Sequence, residues 1–94
     1  MKREWEQFPG AELILEGLRD VADGRDSIAA LIVHIGAPRL SALGFVVPAR
    51  PGACHPEHQL YERLAGEDSR TAHSRYNALI RRLVSFERAA ACVD

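Results

Sequence analysis

The sequence predicts an all-α fold, a compact bundle of four to five helices with a long C-terminal helix and one proline-rich loop. Three observations carry this expectation. The stretch Ser69 to Val93, SRTAHSRYNALIRRLVSFERAAACV, contains no glycine or proline and is made mostly of good helix formers. Ala11 to Asp23 repeats its apolar residues at helical spacing. Phe45, Val46 and Val47 are the only strand-like run, and a strand without a second strand to pair with is coil.

The first helix is amphipathic. Ala11, Ile14, Leu15, Leu18, Val21 and Ala22 fall on one arc, with Glu12, Glu16, Arg19, Asp20 and Asp23 opposite and Leu13 beside the acidic face. Pro9 and Gly10 break the chain before it, and Gly24 is placed to end it in a left-handed conformation. Trp5 and Phe8 precede the break and are expected to fold back onto the first turn as a hydrophobic staple.

Asp26 or Ser27 can cap the next helix, Ile28 to Ile35, whose residues are apolar on nearly every side. A helix of that kind belongs at the centre of a core. His34 is its one strongly polar side chain, expected at the rim of the core. Gly36 ends the helix and Pro38 can open a short one, Pro38 to Leu43, terminated by Gly44. With Leu31 and Ile35 before the turn at Gly36, and Ala42 and Phe45 after it, the stretch IAALIVHIGAPRLSALGF resembles a helix-turn-helix. It departs from that motif in its second helix, which is short and offers only Arg39 and Ser41 where a recognition helix carries several long polar residues. A core-forming helical hairpin is the expectation.

Pro48, Pro51, Gly52 and Pro56 mark the loop Pro48 to His55, expected to be the most exposed connection. A helix of about ten residues follows, with Pro56 and Glu57 in its first turn, Leu60, Tyr61, Leu64 and Ala65 on its apolar face and Gly66 as its stop. Asp68 or Ser69 then caps the long helix, about 22 to 24 residues and roughly 33 to 36 Å at 1.5 Å per residue.

Size and composition limit the functional classes. The 94 residues make one domain, 1–94, and 47% apolar with 27% charged residues describes a folded chain rather than a disordered one. The longest mainly apolar run, Ile28 to Ala37, is too short to span a bilayer. The start, MKREWEQFPG, has no apolar core of a secretory signal, and two cysteines, Cys54 and Cys92, make no disulfide framework. A cytoplasmic location is expected. The net charge of −1 is unevenly placed: residues 1–26 carry four basic and seven acidic side chains, whereas 69–94 carry five basic and two acidic. An acidic first helix beside a basic last helix in one bundle accounts for that distribution.

No motif fixes a reaction. Cys54, His55 and His58 in CHPEH are the one cluster with metal-ligand character, but a tetrahedral zinc site needs a second ligand pair that the sequence does not supply nearby. Solvated histidines at a helix start are expected, and no metal. His73 and Ser74 are adjacent on a helix and diverge by about 100°, so they form no nucleophile and base pair. Phosphate-binding loops and dinucleotide fingerprints are missing from the sequence, and no cofactor or catalytic activity is expected.

The long helix carries the remaining information. Ala72, Tyr76, Leu79, Ile80, Leu83, Val84, Glu87 and Ala90 form a buried stripe in which Glu87 is the lone polar interruption. Arg70, Asn77, Arg81, Ser85 and Arg88 form a solvated stripe, and Thr71, Arg75, Ala78, Arg82, Phe86, Ala89 and Val93 a mixed one. Arginine, small residues and one aromatic are the composition of a protein interface, so Arg75, Arg82 and Phe86 are the candidate partner-binding residues. The segment from Phe86 to Val93 is expected to project beyond the shorter helices and to pair with its equivalent in a homodimer. The functional expectation is a small, non-catalytic interaction or regulatory module acting through a helical surface. The alternative is a nucleic-acid-binding regulator using Arg70, Arg75, Arg81, Arg82 and Arg88, against which the near-neutral net charge weighs.

Overall fold

A computed structural model describes residues 7–47 and 55–92. Five helices follow in chain order: α1 (Ala11–Ala22), α2 (Ile28–Ile35), α3 (Ala37–Ala42), α4 (Pro56–Glu67) and α5 (Ala72–Ala91). The fold is all-α, and no strand occurs among the described residues; Phe45 to Val47 is coil. Trp5, Cys54, Val93 and the loop 48–54 lie outside the described residues.

The apolar α2 is the hub, packing on α1, α3, α4 and α5. Ala30, Ile32 and Val33 are completely buried there, and Ile14, Leu40, Leu60, Leu64 and Phe86 complete the core from the other helices. Its closest neighbour is α1, and a glycine sets the distance. A Cβ on Gly17 would stand 2.3 Å from the Ala29 carbonyl oxygen and 2.5 Å from Val33 Cγ2. Only a residue without a side chain lets the two helices cross so closely.

The turn from α1 to α2 is held at both ends. Gly24 adopts φ 75°, Gly24 N–H donates to the Val21 carbonyl at 3.1 Å, and Arg25 N–H donates to the Asp20 carbonyl at 2.7 Å. These are the paired bonds of a left-handed glycine cap. Ser27 then caps α2, its Oγ accepting from Ala30 N–H at 3.1 Å and donating to the Asp20 carboxylate at 2.6 Å. Asp20 is therefore buried rather than on the solvated face where its spacing placed it, and Leu13 is buried too. The tertiary partner on α2 draws Asp20 inward against the helical arc.

The short α3 ends in a second glycine cap. Gly44 has φ 103° and Phe45 N–H donates to the Leu40 carbonyl at 3.0 Å. The chain thereby turns so that Phe45 packs on Phe86, ring centroids 5.7 Å apart. Phe8 meets the same ring at 6.0 Å. Phe8 does fold back on the core, but onto α5.

Two helix boundaries differ from the expectation. Gly66 does not stop α4, which continues to Glu67 and ends where Asp68 takes an extended backbone; Gly66 is not among the glycines with positive φ. The long helix is 20 residues, about 30 Å, and begins two to three residues beyond the start that a cap at Asp68 or Ser69 would give. The Asp68 carboxylate accepts from Arg70 N–H at 3.0 Å, which holds residues 68–71 in a turn instead of the first helical turn.

Candidate functional site

The face of α5 that serves the core is largely the one its spacing suggests, widened to include Phe86. Ala72, Leu83, Phe86, Glu87 and Ala90 are buried, while Tyr76, Leu79, Ile80 and Val84 are half-buried. Phe86 has no exposed surface. It belongs to the protomer's own core, between Phe8 and Phe45, and the structure removes it from the partner-binding surface. The same packing corrects the expectation that Phe86 to Val93 projects, since Phe86 and Ala90 anchor that end of α5.

The other two expected site residues are not brought together into a site. Arg75 is half-buried and donates to Glu67 at 2.8 Å. Arg82 is exposed and pairs with no described residue, but its helical turn lies where the chain enters α1. A Cβ on Gly10, which has φ 77°, would stand 2.5 Å from the Arg82 carbonyl oxygen. Arg75 is thus held by an acid of its own chain, whereas the Arg82 side chain is exposed beside the entry to α1.

The opposite flank is open. Helical residues advance about 100° each, so Ile80, Val84, Glu87 and Ala91 share a face nearly opposite Arg82. Here α3 packs on α2 without covering α5, leaving a groove. One cleft of about 280 Å³ is lined by Ile35, Gly36, Pro38, Arg39, Ile80, Leu83, Val84 and Glu87. A second, of about 250 Å³, is lined by Arg39, Ala42, Leu43, Glu87, Arg88 and Ala91. Arg39 and Glu87 belong to both, so the two clefts form one apolar groove with a charged pair at its middle.

Glu87 is the residue that gives this groove its character. It is a buried carboxylate on an apolar stripe. Arg39 is its one charged partner among the described residues, at 3.9 Å, and Arg39 itself is largely exposed. Burial pushes the Glu87 carboxyl above its ordinary value, and the Arg39 guanidinium opposes that push. Every fully buried side-chain polar atom among the described residues has a hydrogen-bond partner. The Glu87 oxygens accept no hydrogen bond from a described residue, so they reach the cleft. Gly36 makes room for them, since a Cβ there would stand 2.9 Å from Glu87 Oε2 and 2.8 Å from Leu83 Cδ1.

The remaining candidates are dispersed. His58 pairs with Glu62 at 3.0 Å, and no group of three metal-ligating side chains occurs among the described residues; Cys54 lies outside them. His73 faces Asn77 at 3.2 Å. Of the five arginines in 70–88, Arg70 is 3.5 Å from Asp68 and Arg75 is 2.8 Å from Glu67, which leaves Arg81, Arg82 and Arg88 without a described acid. Arg88 borders the groove. No described helix is long and apolar enough to cross a membrane.

In the sequence Glu87 stood out only as a polar interruption in a stripe expected to face the core. Arg39 was visible only as one of two polar residues on a short helix, because its pairing depends on how α3 lies beside α5. No protein-family model, curated protein or solved structure matches the chain.

Proposed function

We propose that this chain is a small, non-catalytic interaction module whose working surface is the groove between α3 and α5. The observation that supports this reading most is the Glu87 carboxylate, held between two apolar clefts with a single, loosely placed cation beside it. Partial burial of an ionisable group costs the isolated fold, and the raised Glu87 carboxyl is the mark of that cost. Half-buried Ile35, Ile80, Val84 and Leu43 around it leave further apolar surface unburied. Both features suit a surface completed by a partner.

Nucleic-acid binding is the weaker reading. It needs arginines that converge on phosphates, and two of the five on the last helix are already paired with acids of the same chain.

The test compares the wild-type chain with Val84→Arg, which places a long cation at a half-exposed groove position. Circular dichroism and the melting temperature establish that the variant folds. Proteins retained by the immobilised wild-type chain from its native cells, a second copy included, are expected to be lost with Val84→Arg. Identical retention by both chains contradicts the reading. Sedimentation velocity at micromolar concentration shows whether Val84→Arg also abolishes self-association.

A further inference from the structure

We infer that the α3–α5 groove takes an amphipathic helical segment of another protein, one with acidic side chains flanking its apolar stripe. The inference rests on the interaction-module reading and adds the chemistry of the partner. Three features of the groove lead to it.

The walls are mainly apolar. An extended segment laid there would bury backbone N–H and C=O groups against surfaces that offer few hydrogen bonds, whereas a helix satisfies those groups internally. Length agrees with that choice. The groove follows α5 from Ile80 to Ala91, which at 1.5 Å per residue is about 17 Å, or roughly three turns of a docked helix.

The charge at its borders is positive. Arg39 stands on the α3 side with its side chain 75% exposed, and Arg88 stands exposed on the α5 side with no described acid beside it. Glu87 occupies the floor between them, which directs a partner's carboxylates away from the centre and toward the two rims. An apolar stripe with acids on its flanks matches this arrangement, and basic flanks meet like charge.

A second copy of this chain does not match it. The apolar arc of α1 is turned into its own core, leaving Glu12, Glu16, Arg19 and Asp23 outside. Two grooves placed face to face would bring the Arg39 and Arg88 rims of both copies together.

The experiment titrates the intact chain with two synthetic helical peptides of about 18 residues that share one leucine stripe and differ only in carrying Glu or Lys along its flanks. Fluorescence anisotropy of labelled peptide gives the affinity, and amide chemical shifts locate the contact. The Glu-flanked peptide is expected to bind about tenfold or more tightly than the Lys-flanked one and to shift residues of α3 and of the Ile80 to Ala91 segment. The double variant Arg39→Glu, Arg88→Glu is expected to reverse the order of the two peptides while retaining the wild-type circular dichroism. Equal affinity for both peptides, shifts confined to another face, or no binding of either overturns the inference. Should neither peptide bind while Val84→Arg still abolishes retention of a native partner or of a second copy, the module reading stands and the acid-flanked helix is excluded as its partner. If retention is unchanged as well, both fail.

Discussion

The Glu87 carboxylate lies 3.9 Å from the Arg39 guanidinium across the seam between α5 and α3. The two ends of this pair live in different media. Arg39 is largely in water and gains little from a partner at that distance, while Glu87 is mostly buried and loses hydration.

That asymmetry sets a pH dependence. Burial raises the Glu87 carboxyl in the folded chain, so the folded state keeps its proton to higher pH than the unfolded state does. The resulting stability is full below the unfolded carboxyl value and is lost as pH rises through the raised folded value. Replacing Glu87 by Gln removes this titration. Glu87→Gln is expected to match the wild type near pH 4 and to melt at higher temperature than it near pH 7. A lower melting temperature for the variant at pH 7 would show that Arg39 outweighs the loss of hydration.

Phe86 should behave as core. Truncation to alanine removes a fully buried ring from between Phe8 and Phe45, and such deletions cost about 3–5 kcal/mol. Urea denaturation of Phe86→Ala is expected to show a loss of that size, and Phe86→Asp to unfold the chain. Loss of an oligomer by Phe86→Asp with the melting temperature preserved would place Phe86 at an interface instead.

Gly17→Ala separates helix propensity from packing. Alanine is favoured over glycine within a helix by about 1 kcal/mol, yet the added methyl meets the Ala29 carbonyl oxygen and Val33. Overpacking of this kind costs about 1–3 kcal/mol, and contact with a backbone atom belongs at the upper end. Net destabilisation by chemical denaturation is expected. A stabilised variant would mean that α1 and α2 cross at a greater distance.

The Asp20, Ser27 and Ala30 chain joins the end of α1 to the start of α2. Ser27→Ala removes both a cap and the donor to a buried carboxylate. The cap contributes about 0.5–2 kcal/mol, and leaving Asp20 without its donor adds about 1–3 kcal/mol. Asp20→Asn keeps a side-chain oxygen that can accept from Ser27 and is expected to lose less. A Ser27→Ala loss no larger than the cap contribution would show that the hydroxyl acts only as a cap.

Much of the fold was legible because its signals are local. Apolar period, glycine caps at Gly24 and Gly44 and a serine cap at Ser27 bound α1, α2 and α3 to within about a residue, and the apolar content of α2 placed it at the centre. The exceptions have a common physical origin. Asp20, Leu13, Gly17 and Phe86 take their roles from another helix, and helical spacing alone carries no information about which neighbour will be there. The burial of Phe86 was illegible for the same reason. Arg75, Arg82 and Phe86 share a stripe of favourable composition, but Phe8, Phe45 and Gly10 approach α5 from that side, leaving the flank of Ile80 and Val84 open. Glu87 was visible as a mismatch in its stripe, but the stripe was assigned to the core.

The most direct test of the central claim is site-specific photo-crosslinking in the native cell, with a benzophenone amino acid placed in turn at Val84, in the groove, and at Arg82, on the opposite flank. Covalent adducts to another protein or to a second copy are expected from position 84 and not from position 82. Adducts from position 82 alone would contradict the assignment of the α3–α5 groove as the working surface.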